Sequence, residues 1–138
     1  ADKIIDFICA ADVCCAYNHR FDLNGLNCEF TRAGRPNLII PFIDPLIWER
    51  ETRKKFSQNK LADAAKRWYC SRAAAVQHGD GHLHDALVDV EVLAELTYNM
   101  AEGGGGRAPL PFSLNELIEK QVKYEARQEE YLSKKYGK

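Results

Sequence analysis

His84 and Asp89 stand five positions apart in HDALVDVEVLAELTYNM, residues 84–100, a run otherwise patterned as an amphipathic helix. Five residues of α-helix turn through about 500°, so two side chains at that spacing diverge by about 140° and do not share a site within one helix. They converge only if His84 lies on the loop before the helix and Asp89 in its early turns. A loop histidine facing a carboxylate fixed on a helix is one arrangement a metal-assisted hydrolase would use. A second carboxylate, Asp22, follows AYNHRF, where an apparent strand gives way to a helix. That junction is the usual ligand-binding edge of an α/β sheet. A plain helix cap explains Asp22 at least as well from the segment alone.

The elements that must position these residues alternate along the chain. KIIDFICA spaces Ile4, Ile5, Phe7 and Ile8 as a helix, and VCCAY reads as a buried strand. FDLNGLNCEFTRAG sets Phe21, Leu26 and Phe30 roughly on one side and stops at Gly34. NLIIPFID is apolar without a helical period, as in a strand covered on both faces, with Pro41 marking an edge or a strand end. PLIWERETRKKF opens with a proline suited to a first helical turn, and NKLADAAKRWYC is rich in helix formers. The pattern predicts the α/β class.

Composition narrows the functions open to such a chain. The 138 residues, 46% hydrophobic, suffice for one domain with a core. Lys plus Arg number 19 against 20 Asp plus Glu, so any nucleic-acid site must be local rather than a property of the net charge. Cys9, Cys14, Cys15, Cys28 and Cys70 are odd in number and form no C-x-x-C, which predicts small core residues in a reducing compartment. The longest apolar runs fall well short of the roughly 20 residues of a membrane span, and no leader pattern opens the chain. These features predict a soluble, cytoplasmic protein with no membrane partner.

Four glycines in AEGGGGRAPLPF predict a flexible linker over 102–112, after a compact portion 1–101. A helical tail over 113–138 follows, opened by the capping box Ser113-x-x-Glu116 and carrying an apolar stripe of Leu114, Leu117, Ile118 and Val122. The site candidates all precede it, so the tail is expected to dock through that stripe and to leave the chemistry alone.

Two segments together resemble the DEDDh, or DnaQ-like, family of 3′–5′ exonucleases, to which the proofreading epsilon subunit of bacterial DNA polymerase III belongs. VCCAYNHRFDLNGLNCEF is similar to that family's second motif, a strand entering A-H-N-x-x-F-D. HLHDALVDVEVLAEL is similar to its third, H-x-A-x-x-D before a helix rich in Ala, Leu and Glu. Between them FIDPLIWER resembles a strand, an aspartate and a helix of the family, and NKLADAAKRWYC its S-L-x-x-L-A helix.

The resemblance implies a ribonuclease H-like exonuclease fold and hydrolysis at DNA 3′ ends, with RNA also a candidate substrate. It implies two Mg²⁺ or Mn²⁺ ions, Asp22 and Asp89 as metal ligands, His84 as general base, and Asn18 and Phe21 shaping the substrate site. The family's first motif, D-x-E-T, has no counterpart here. The expected structure is therefore an N-terminally incomplete, helix-rich portion with about two strands. Alone it is expected to be inactive, and to present a sheet edge to its missing segment or to a second copy.

Other readings carry less weight. His78, His82 and His84 in QHGDGHLH offer a zinc site, but loop histidines without a cysteine more often form a polar loop. Arg50, Arg53, Lys54 and Lys55 could hold phosphates, yet such a run is more often a solvated helix end. RAPLPF offers a short peptide for a polymerase or sliding clamp but lacks the glutamine usual there. The alternative to an enzyme is a non-catalytic nucleic-acid-binding or polymerase-assembly module that keeps the fold.

Overall fold

The computed structural model describes residues 2–57, 59–75, 86–104 and 108–137. In chain order the elements are α1 (Asp2–Cys9), β1 (Cys14–Cys15), α2 (His19–Arg32), β2 (Phe42–Ile43), α3 (Pro45–Arg53), α4 (Leu61–Arg67), a 3₁₀ turn (Ala73–Ala75), α5 (Ala86–Glu102) and α6 (Leu114–Tyr136). The result is a mixed, helix-rich chain with two parallel strands, compatible with the α/β class. Packing separates it into two compact units, Ala1–Asp44 with Ile118–Lys138, and Pro45–Leu117.

In the first unit β1 and β2 pair in parallel, Cys14 opposite Phe42 and Cys15 opposite Ile43. Parallel strands need a crossover, and α2 supplies it. The core is Ile5, Ala16, Phe30, Leu38 and Phe42, with Ile8, Leu23 and Leu26 packed against it. On α2 the buried stripe is thus Leu23, Leu26 and Phe30, at i, i+3 and i+7. The expected grouping of Phe21 with Leu26 and Phe30 fails, because Phe21 lies off that stripe and is 80% exposed. Among the described side chains of α1 only Ile5 is buried, with Ile8 partly so, while Ile4 and Phe7 face outward. α2 ends as the glycine implies: Gly34 has φ 70°, and the Arg35 N–H reaches back to the Phe30 carbonyl at 2.8 Å.

Both strands are shorter than the apolar runs suggest. Pro41 has no N–H to give, and its carbonyl accepts from Cys14 N–H at 3.0 Å, so it stands at the start of the ladder rather than inside it. Asp44 precedes a proline, which disfavours helix at that position, and Pro45 then opens α3.

In the second unit α4 packs against α5 and the 3₁₀ turn. Its buried side chains include Trp48, Ala64, Ala65, Trp68, Val92 and Leu96. Glu49 is also fully buried; it accepts from Trp68 Nε1 at 2.6 Å and from Arg67 Nε at 2.9 Å. The stretch predicted as a linker is anchored at its far end, where Leu110 N–H bonds the Met100 carbonyl at 3.1 Å and the Phe112 ring packs 5.7 Å from Trp48.

Two further expectations change. Of the five cysteines only Cys70 is buried, Cys14 is intermediate, and Cys9, Cys15 and Cys28 are exposed: Cys9 ends α1, Cys15 lies in a two-residue strand, and Cys28 stands on α2 off the stripe of Leu23, Leu26 and Phe30. The capping box of α6 forms, with Glu116 N–H donating to Ser113 Oγ at 3.4 Å and Ser113 Oγ–H to Glu116 at 3.0 Å. The stripe does not bury as a whole: Leu114 and Val122 are exposed, and the buried residues of α6 are Gln121 and Gln128. Among the described residues no helix is long and apolar enough to cross a membrane.

Candidate functional site at the strand ends

Because β1 and β2 are parallel, the chain leaves both at the same edge, and Ala16 N–H still bonds the Ile43 carbonyl there at 3.1 Å. One residue beyond β2, the Asp44 carboxylate is only 2% exposed. It accepts from Asn18 N–H at 3.0 Å, His19 N–H at 2.8 Å and His19 Nδ1 at 2.8 Å. These include two of the orphan donors that open α2, so the helix is capped by an acid from the neighbouring strand, where negative charge is favoured. Asn18 makes no side-chain cap; it takes the left-handed conformation, φ 64°, that asparagine tolerates and turns its N–H to Asp44.

Asp22 is therefore not the cap. It stands in the first turn of α2 as an exposed residue. Loss of hydration against the helix start raises its carboxyl above the usual value; its own backbone N–H lowers it, the Asp44 charge raises it and His19 lowers it. His19 lies between acids, with Nε2 3.4 Å from Glu125 Oε2 on the far side from Asp44 and its ring 5.6 Å from that of Phe42. The hydrogen bond to Asp44 raises its affinity for a proton most, the charges of Glu125 and Asp44 add to this, and burial and Arg20 oppose it. Arg20 pairs with Glu125 at 3.2 Å and also with Glu129.

The remaining sequence candidates fall as follows. Asn18, Phe21 and Asp22 come together at this edge of the first unit, Phe21 with its ring outward. Asp89 stands in the first turn of α5, in the second unit, half-buried. His84 lies outside the described residues, as do His78 and His82. Among the described residues no group of three or more His, Cys, Asp or Glu is arranged to hold a metal ion.

A divalent cation of the Mg²⁺ type takes hard oxygen donors. Asp22 fits that requirement, since its carboxylate is exposed and its ionised form is disfavoured, chiefly by lost hydration and then by the Asp44 charge, which a cation would offset. Asp44 does not, since its oxygens already take three N–H donors. Gln121 and Glu125 have no place in the sequence analysis, and Asp44 enters it only as the aspartate of FIDPLIWER, without a role. An acid between a strand and a proline was a usable signal for Asp44. Nothing local marked two polar positions on a charged tail. A scan against family models and searches of curated proteins and solved structures returned no match.

Proposed function

We propose that this segment belongs to a metal-dependent 3′–5′ exonuclease of the DEDDh type with a ribonuclease H-like fold, acting on the 3′ end of single-stranded DNA. The observation that carries the reading is the placement of Asp22: an exposed carboxylate with a raised proton affinity, on the first helical turn beyond two parallel strand ends. Carboxylates whose ionised form the fold opposes cluster at functional sites. In this reading Asp22 and Asp89 are metal ligands and His84 holds the proton lost by the attacking water. The exposed Phe21 ring offers a face on which a terminal base stacks, and Asn18 shapes the turn beneath it. Two bound divalent ions would supply charge stabilisation for the attacking and leaving oxygens. The acids of a D-x-E-T strand complete the set, from preceding sequence or from another chain, so the nuclease-competent form is the one that carries them. The test is release of mononucleotides from a 5′-labelled single strand by that form in Mg²⁺ or Mn²⁺. Stepwise shortening from the 3′ end that stops on chelation is expected; undiminished digestion in EDTA would overturn the reading.

A further inference from the structure

Along a strand the N–H and C=O of one residue face one neighbour and those of the next residue face the other. On β2 the carbonyls of Pro41 and Ile43 face β1, accepting from Cys14 and Ala16. The Phe42 carbonyl and the Asp44 N–H consequently face the other way, onto an edge that needs a partner. Gln121 of α6 supplies it: Oε1 accepts from Asp44 N–H at 2.9 Å, and Nε2 donates to the Phe42 carbonyl at 2.7 Å. A carboxamide carries an acceptor and a donor much as a peptide group does, so one side chain takes the place of a strand rung. Gln121 is 5% exposed, which keeps water from competing for either bond.

One turn further along the same helix face, Glu125 meets His19 and Arg20, and Glu129 one turn beyond pairs with Arg20 again. α6 thus grips Asp44 twice, through its backbone by Gln121 and through its side-chain partner His19 by Glu125. A tail held by apolar contact alone would tolerate a slip in register. Buried glutamine does not, because a shifted amide leaves two buried polar groups unpaired.

We infer that α6 is a positioning helix for the strand-end site: Gln121 and Glu125 fix Asp44 and His19, and through them the direction in which Asp22 is presented. The catalytic consequence rests on the exonuclease reading, whereas the clamp itself does not.

Two measurements separate them. Amide exchange by NMR on the 138-residue chain should show Asp44 and His19 N–H protected in the native sequence. In Gln121→Leu both should exchange at least about tenfold faster, while Ala64 and Ala65 in the second unit keep their rates. Gln121→Glu, which keeps the acceptor and loses the donor, should fall between, and Glu125→Gln should loosen His19 more than Asp44. Unchanged exchange of Asp44 and His19 in Gln121→Leu would overturn the inference. In the nuclease-competent form, Gln121→Glu should lower kcat by about tenfold with KM changed by less than about twofold. An unaltered kcat despite faster exchange would also overturn it. If the native form hydrolyses no DNA, the exonuclease reading fails, and the exchange result still decides whether α6 clamps this edge.

Discussion

Three acids within one small region have three different jobs, set by what each touches. Asp44 accepts from three N–H donors and organises the turn, Glu125 balances His19 and Arg20, and Asp22 is left exposed with its charge opposed. A carboxyl whose proton affinity is raised on folding weakens the folded state once it ionises. Asp22→Asn is therefore expected to leave the midpoint of thermal unfolding at pH 7 unchanged or to raise it; a fall of more than about 2 °C would show that Asp22 is structural. For His19 the sign is the same and the pH window is higher. Its proton affinity is raised from the ordinary 6.5, so its contribution is complete below that value and is lost as pH climbs through the higher folded pKa. Urea unfolding of the first unit should show stability declining from pH 6.5 upward, and His19→Asn, which can still donate to Asp44, should flatten the decline. A decline of the same size in His19→Asn would assign it to another group.

Among the elements, those set by local pattern were legible in the sequence and those set by distant pairing were not. The helix stop at Gly34, the proline opening of α3 and the Ser113–Glu116 box are written within a few residues and appear where the pattern puts them. Asp22 at the strand-to-helix junction was visible for the same reason. The cap on α2 comes from a residue 25 positions from His19, and the rung on β2 from one 77 positions from Asp44, so no local spacing encodes either. Apolar pattern misled on α6, where Gln121 and Gln128 are buried while Val122 is not. Buried Glu49 is a further case, hidden within WERET and visible only through Trp68 and Arg67. Glu49→Ala would remove the carboxylate acceptor of the buried Trp68 Nε1–H inside the second unit and should destabilise it by about 1–3 kcal/mol in chemical denaturation. Glu49→Gln, which keeps an acceptor, should lose less. A loss below about 1 kcal/mol for Glu49→Ala would mean that water replaces the carboxylate.

At the scale of the whole molecule, Asp22 and Asp89 belong to different compact units, each set in the first turn of a helix. The proposal that both are metal ligands is tested by rate measurements on single substitutions. In the nuclease-competent form, initial rates on a short single-stranded oligonucleotide in Mn²⁺ are measured for the native sequence, Asp22→Asn and Asp89→Asn, with folding of each checked by amide exchange. Each substitution is expected to lower the rate by at least about a thousandfold without loss of fold. A folded Asp22→Asn or Asp89→Asn that keeps activity within about tenfold of the native rate would contradict it.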